Sequence, residues 1–204
     1  MKDAIIFDGE SESLNLANTR CWQFSACKII GGKIQKGIEF FVDVPNFNIS
    51  ADAARITNFN RDKWNDLKVP AEQVVDYIDN NIVNSNLIVS GHNILGFDVM
   101  LLRNMYHQVG RELDFNKFIY RCVDTLAMAR GRFYQIEMPE DERERLSYNY
   151  KMLHRPSRAF KGSLSAVARD FGIDFDPNRL HDALYDVFIN AQVYQRLVYG
   201  TSLG

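Results

Sequence analysis

Cysteine is scarce in this chain of 204 residues: there are three, Cys21, Cys27 and Cys122, an odd number with no metal-ligand spacing. That argues against a disulfide framework and against a cysteine-built metal centre. No apolar run approaches the ~18 residues that would cross a bilayer, and no signal peptide is evident. The expectation is a soluble, cytoplasmic protein in a reducing compartment with no membrane partner. Repeats and low-complexity tracts are absent, and the formal net charge is only −2. There is therefore no global basic footprint, although an acidic metal site can sit beside a local basic face. Hydrophobic residues at 46% and charged residues at 25% are ordinary globular usage, which excludes wholesale disorder. The length suits one domain spanning 1–204.

What is present begins with Ala4-Ile5-Ile6-Phe7-Asp8-Gly9-Glu10-Ser11, an apolar strand ending in two acids spaced i, i+2. Strand side chains alternate faces, so Asp8 and Glu10 point the same way with Cβ atoms ~7 Å apart. Two carboxylates so placed can share a hard divalent cation. A D-x-E alone is weak, because a surface turn with solvated acids looks the same.

Residues 21–30 and 33–44 flank Gly31-Gly32, a hairpin signal, so a three-stranded antiparallel meander opens the chain. Short helices are expected near 52–56 and 61–66. Pro70 suits a first helical turn ahead of Val74, Val75, Ile78 and Ile82. Leu87-Ile88-Val89 reads as a fourth strand parallel to the first, followed by a helix over about 97–109 that buries Phe97, Leu101, Met105 and Val109. A fifth strand is expected at 118–123, with helices over 124–131, 163–171 and 182–198. The segment 134–162 reads as an extended connection, acidic at first and basic later, with Arg145, Lys151, Arg155, Arg158 and Lys161 interleaved with Tyr148, Tyr150 and Phe160. Such a run either contacts single-stranded nucleic acid or is a solvated loop. The pattern implies an α/β fold, a mixed sheet flanked by helices.

Further acids fall where this sheet would gather them. Gly91-His92-Asn93 leads to Phe97-Asp98, with Asp98 in the first turn of a helix after a strand parallel to the first. His181-Asp182-Ala183-Leu184-Tyr185-Asp186 opens the last helix. Asp124 reads as a helix cap, and His92 and His107, with no partner, read as structural.

Taken together these motifs resemble the DEDD superfamily of 3′–5′ exonucleases, in its histidine branch (DEDDh, DnaQ-like, of the DNA polymerase III epsilon type). Phe7-Asp8-Gly9-Glu10-Ser11, the Gly91–Asp98 motif and His181–Asp186 match in order. Weaker agreement lies at 50–58, at Asp124-Thr125-Leu126 and at Gly162-Ser163-Leu164. The spacing of His181 five residues before Asp186 fits the histidine branch; the tyrosine branch would need Tyr where Asp182 stands. The chain departs from the family's usual run at Gly9 and at Ser11 to Leu14, and 134–162 is longer than usual.

The resemblance implies an RNase H-like mixed five-stranded sheet, with Asp8, Glu10, Asp98 and Asp186 holding two Mg²⁺ or Mn²⁺ ions. It implies Asp8 between the ions, Glu10 and Asp186 on the nucleophile's side, Asp98 reached partly through water, and His181 as general base. Gly9, Ser11, Leu14, Asn93 and Phe97 are the implied substrate contacts. The expected reaction releases nucleoside 5′-monophosphates from single-stranded DNA 3′ ends. RNA ends or oligoribonucleotides are the alternative substrate, and a polymerase-associated subunit with weak activity of its own is the alternative role. A homodimer and a polymerase partner both stay open.

Overall fold

The structure, a computed structural model, describes residues 3–200. Strand β1 (Ala4–Ser11) runs through the interior of the sheet, its alternate residues feeding different cores. Ile5 and Phe7 pack into the larger core; Ala4 and Ile6 pack on the opposite face. Alternation then carries Asp8 and Glu10 onto the Ala4–Ile6 face.

β2 (Cys21–Ile30) lies antiparallel to β1 and turns at Gly31-Gly32 into β3 (Lys33–Ile34). Both glycines have positive φ, 56° and 79°, which matches the strand twist a two-residue hairpin needs. The returning arm is not continuous. Its register shifts by one residue between the Ile29–Ile34 pair and the Ala26–Ile38 pair, so a bulge separates β3 from β4 (Ile38–Asp43).

Two short helices follow, α1 (Ala51–Ile56) and α2 (Arg61–Leu67), capped by the side chains of Ser50 and Asn60. An edge strand absent from the sequence reading, β5 (Lys68–Pro70), pairs parallel with β4. Three residues ending in proline carry no alternating pattern, and a terminal proline belongs on an edge because it cannot donate to a further strand. Pro70 also starts α3 (Ala71–Ile78), which buries Val74, Val75 and Ile78 and widens into a single π turn over Asp79–Val83. The Arg121 guanidinium donates to the carbonyls of Ile82, at 2.7 Å, and Val83, at 3.0 Å, at the end of that turn.

β6 (Ile88–Gly91) pairs parallel with β1, and α4 (Asp98–Gln108) leaves its end. β7 (Cys122–Asp124) pairs parallel with β6 and passes straight into α5 (Thr125–Phe133). The strand order is β5-β4-β2-β1-β6-β7, with β3 also on β2. This is the expected RNase H-like mixed sheet flanked by helices. Among the described residues it has seven strands rather than five, because one hairpin arm is divided and β5 is added.

The segment 134–162 differs from the expected extended connection. It contains α6 (Glu142–Leu153), capped by Asp141, whose side chain accepts from the amides of Arg143 and Glu144. Arg145, Tyr148, Asn149 and Met152 form its buried stripe. The spacing is helical, but an arginine and an asparagine in the stripe hide it from a hydrophobic reading. Asn149 Nδ2 donates to the carbonyl of Cys122 at 3.0 Å, so α6 covers the edge of β7. Tyr148 is buried against α5 and is not available to stack on a substrate. α7 (Leu164–Asp170) and α8 (Ala183–Tyr199) complete the fold, with α8 lying on the Ala4–Ile6 face. No helix among the described residues is long and apolar enough to cross a membrane, and all three cysteines are buried and free.

The α5–α6 contact is close enough to test. A Cβ on Gly131 would lie 1.7 Å from Tyr148 Oη and 2.9 Å from the Ile136 carbonyl. Gly131→Ala is expected to destabilise by about 1–3 kcal/mol, the usual range for overpacking, in urea unfolding. Adding Tyr148→Phe should recover part of the loss; no recovery would place the strain elsewhere.

Candidate active site

One end of β1 opens into a cavity of about 420 Å³. It brings together Asp8, Gly9, Glu10, Asn93, Phe97, Asp98, His181 and Asp186 of the sequence-predicted residues, joined by His92, Leu126, Gly162 and Leu164. Two predicted contacts lie outside it. Ser11 is buried behind the β-bulge at Glu10/Ser11, its hydroxyl donating to the Ser13 carbonyl at 2.7 Å. Leu14 sits in the following loop, 85% exposed.

The carboxylates arrive from three elements. Asp8 and Glu10 come from β1. Asp98 is the first residue of α4, and the parallel β1–β6 pairing delivers it to the same end of the sheet. Its Oδ1 accepts from the Gly9 amide at 3.0 Å. A Cβ on Gly9 would lie 3.0 Å from Leu101 Cδ2 and 3.6 Å from Asp98 Oδ1, so a side chain there would crowd that approach.

Asp186 is set by the entry to α8. His181 adopts a left-handed backbone, φ 65°, and Asp182 caps the helix by accepting from the Tyr185 amide at 3.0 Å. Asp186 folds back so that Oδ2 accepts from the His181 amide at 3.1 Å. A non-glycine residue at positive φ persists only where its surroundings hold it. That amide bond is such a hold, and it fixes the carboxylate and the histidine relative to each other.

A shell of backbone bonds supports these groups. Asp124 is fully buried and accepts from four amides: Asn93, Leu95, Leu126 and Ala127. It is the cap the sequence suggested and also a brace for the loop before Asp98. Burial pushes it up to about 6 against the pull of those amides. His92 is structural, as expected, but has partners only the fold supplies: Nε2 is 2.8 Å from the Gly162 carbonyl and Nδ1 is 3.1 Å from Thr125 Oγ1. Burial lowers its pKa to about 4, so it is neutral and pins residue 162 over the cavity.

Among the described residues, no lysine or arginine lines the cavity. Burial, then the charge of Asp186, pushes Asp8 up to about 7; burial, then the pull of His181's amide and the push of Asp182, leaves Asp186 at about 6. Burial and the neighbouring acids also hold Glu10 and Asp98 well above the usual carboxylate range. Such a cluster is short of positive charge. The donor set fits a divalent cation on a second count: Asp186 Oδ1 is buried with no hydrogen-bond partner among the described residues. Ligand atoms of Glu10, His181 and Asp186 also lie within 4.8 Å of one another. Oxygen donors in this number suit a hard ion.

The raised carboxylates set a pH dependence. A group whose folded pKa exceeds its unfolded value stabilises at low pH and loses that contribution as pH rises through the folded pKa. For Asp8 the window runs from about 4 to about 7, and for Asp186 from about 4 to about 6. In chelator, the unfolding temperature should fall across pH 4–7, and Mg²⁺ or Mn²⁺ should restore it at neutral pH. A flat profile in chelator would mean that the acids are not buried together.

Compared by sequence, the chain matches no family model and no curated protein. Compared by structure, it resembles E. coli Exonuclease I in complex with a dT13 oligonucleotide, at a TM-score of 0.70 and 17% identity over 96% of this chain and 40% of that one. The zinc-bound E. coli Exonuclease I–ssDNA complex gives 0.73, with 16% identity over 96% and 40%. Exonuclease I from Methylocaldum szegediense gives 0.69, with 19% identity over 99% and 41%. The chain thus spans about two-fifths of the length of these proteins, and at such identities the likeness is one of fold.

Proposed function

We propose that residues 1–204 form one catalytic domain of the DEDD type, histidine branch, acting as a 3′–5′ exonuclease on single-stranded DNA. The observation that carries this reading is the convergence of Asp8, Glu10, Asp98 and Asp186, from three elements, on one cavity beside His181. The likeness to Exonuclease I structures solved with single-stranded DNA supports the fold and favours DNA over RNA as the first substrate to test.

Asp8, Glu10, Asp98 and Asp186 would hold two Mg²⁺ or Mn²⁺ ions, which when bound lower the pKa of water and neutralise charge on phosphoryl oxygens. Each residue of the chain then has a task. His181, its backbone fixed by the Asp186 contact, takes the proton of the attacking water. Attack on phosphorus breaks the bond to the preceding nucleotide's 3′-oxygen, leaving a shortened strand with a 3′-hydroxyl and a nucleoside 5′-monophosphate. Phe97, Leu126 and Leu164 supply apolar walls for the terminal sugar and base, and Gly162 leaves room for the backbone. Asn93, beside the acids with its amide held by Asp124, is placed to hydrogen-bond the terminal nucleotide.

Matched 3′- and 5′-labelled DNA and RNA oligomers, digested with Mg²⁺ or EDTA, test polarity, sugar and metal dependence together. Expected is stepwise release of 5′-mononucleotides from the DNA 3′ end, abolished by EDTA; faster digestion of RNA would move the assignment to an exoribonuclease. Asp8→Asn should abolish release. Its unfolding temperature in chelator should equal or exceed the parent's, because a desolvated, repelled charge is removed. For His181→Ala the expected rate loss is about 10²–10⁴ with unchanged metal dependence. A raised metal requirement would make His181 a ligand instead, as its distance from Glu10 and Asp186 also permits.

A further inference from the structure

We propose that a basic, aromatic groove over α5 and α7 binds internal nucleotides of a single strand whose 3′ end occupies the carboxylate cavity. This rests on the exonuclease reading for the position of the 3′ end, but the groove is argued from its own residues.

The groove adjoins the cavity at Gly162. A Cβ there would meet Leu126 Cδ1 at 2.9 Å, Phe160 Cε1 at 3.3 Å and Arg130 Nη2 at 3.5 Å. Leu126 lines the cavity, whereas Phe160 belongs to two further hollows of about 400 and 240 Å³ that share Phe133 and Phe160. Gly162 thus lies against a lining residue of each space, Leu126 of the cavity and Phe160 of the hollows. Residues 159–164 form a common wall, with Gly162 and Leu164 facing the acids and Phe160 and Lys161 facing the groove.

Charge reverses across that wall. The cavity has carboxylates and, among the described residues, no lysine or arginine. The larger hollow is lined by Lys161 and Arg169, and the smaller by Arg132, which lies over the Phe171 ring at 5.1 Å; Asp170 lines both as their one carboxylate among the described residues. Lys161 and Arg158 are exposed and have no partner among the described residues. Arg169 lies over the Phe175 ring at 5.2 Å and makes no ion pair among the described residues. Arg130 is occupied: it lies over Phe160 at 5.3 Å and donates to the carbonyls of Met152 and Leu153. It holds the ring in place and leaves phosphate contact to Lys161 and Arg169.

Phe133 is 50% exposed, and its ring centroid lies 5.5 Å from that of Phe160. An exposed ring, Phe133, beside cations that make no ion pair among the described residues is the chemistry of sequence-tolerant single-strand binding, bases stacking while phosphates meet charge. An apolar protein partner would leave those cations unsatisfied, so the groove favours a polyanion with flat faces.

The test uses the whole chain in Ca²⁺, which is expected to support binding without turnover, with fluorescein-labelled dT12 and a dT dinucleotide. Lys161→Ala/Arg169→Ala should weaken dT12 about tenfold at about 50 mM salt. It should lower the salt slope by about 1.4, since single strands contribute about 0.7 per phosphate. Phe133→Ala should weaken dT12 and Phe133→Trp restore it, while dinucleotide binding stays at the parent's value. In Mg²⁺, hydrolysis of the p-nitrophenyl ester of thymidine 5′-monophosphate, too short to leave the cavity, should match the parent. Unchanged dT12 affinity and slope would overturn the groove while ester hydrolysis persists. So would equal loss of dinucleotide binding or ester hydrolysis in the variants, which would show a structural role. A parent that hydrolyses nothing would overturn the exonuclease reading instead, and the dT12 arm would still decide the groove.

Discussion

The mutual repulsion of the carboxylates gathered at the end of β1, Asp98 buried and the others half-buried, is the constraint on which the other features of the site depend. Asp8, Glu10, Asp98 and Asp186 share a cavity that no lysine or arginine among the described residues lines, and Asp182 stands close enough to add to the repulsion. In such a place acids keep their protons or gain cations. The fold does not relieve this strain from within; it holds the acids where they are.

It does so with backbone donors. The Gly9 amide fixes Asp98, the His181 amide fixes Asp186, and Asp124 gathers four amides to hold the loop that presents Asp98. These bonds occupy one oxygen of Asp98 and one of Asp186. Asp186 Oδ1 remains buried and unpartnered. The arrangement is rigid where position matters and incomplete where a cation would coordinate, the condition that preorganised sites satisfy.

The small net charge conceals a polarised molecule. Acids collect at the β1 end, and the basic residues of 145–169 are used differently from one another, Arg155 lying over the Tyr134 ring. Arg145 goes into the α6 interior, with α6 closing the sheet edge through Asn149. Lys161 and Arg169 stay in solvent beside Phe133 and Phe160, and Arg158 is exposed. Gly162 marks the boundary, held by His92 on one side and facing Phe160 on the other.

From the sequence alone came the elements with strong local patterns and the acids. β1, the glycine hairpin, β6, α4 and α8 were legible because burial on one face imposes a period and glycine, proline and capping residues mark the ends. Asp8 and Glu10 were legible as a pair because strand alternation is local. Asp98 and Asp186 joined them only through motif resemblance and the expected parallel pairing of β1 and β6. Tertiary structure alone decided the rest. α6 was hidden because its buried stripe contains two polar residues, Arg145, which pairs with Glu142 in the same helix, and Asn149, which bonds the Cys122 carbonyl 27 residues away. β5 exists only because β4 offers an edge. The partners of His92 lie 33 and 70 residues away, and no local pattern encodes them. Nor could the run from Tyr148 to Lys161 tell which of its rings would be core and which would face solvent. That choice depends on the close approach of α5 and α6 at Gly131, a contact between two helices that neither encodes alone.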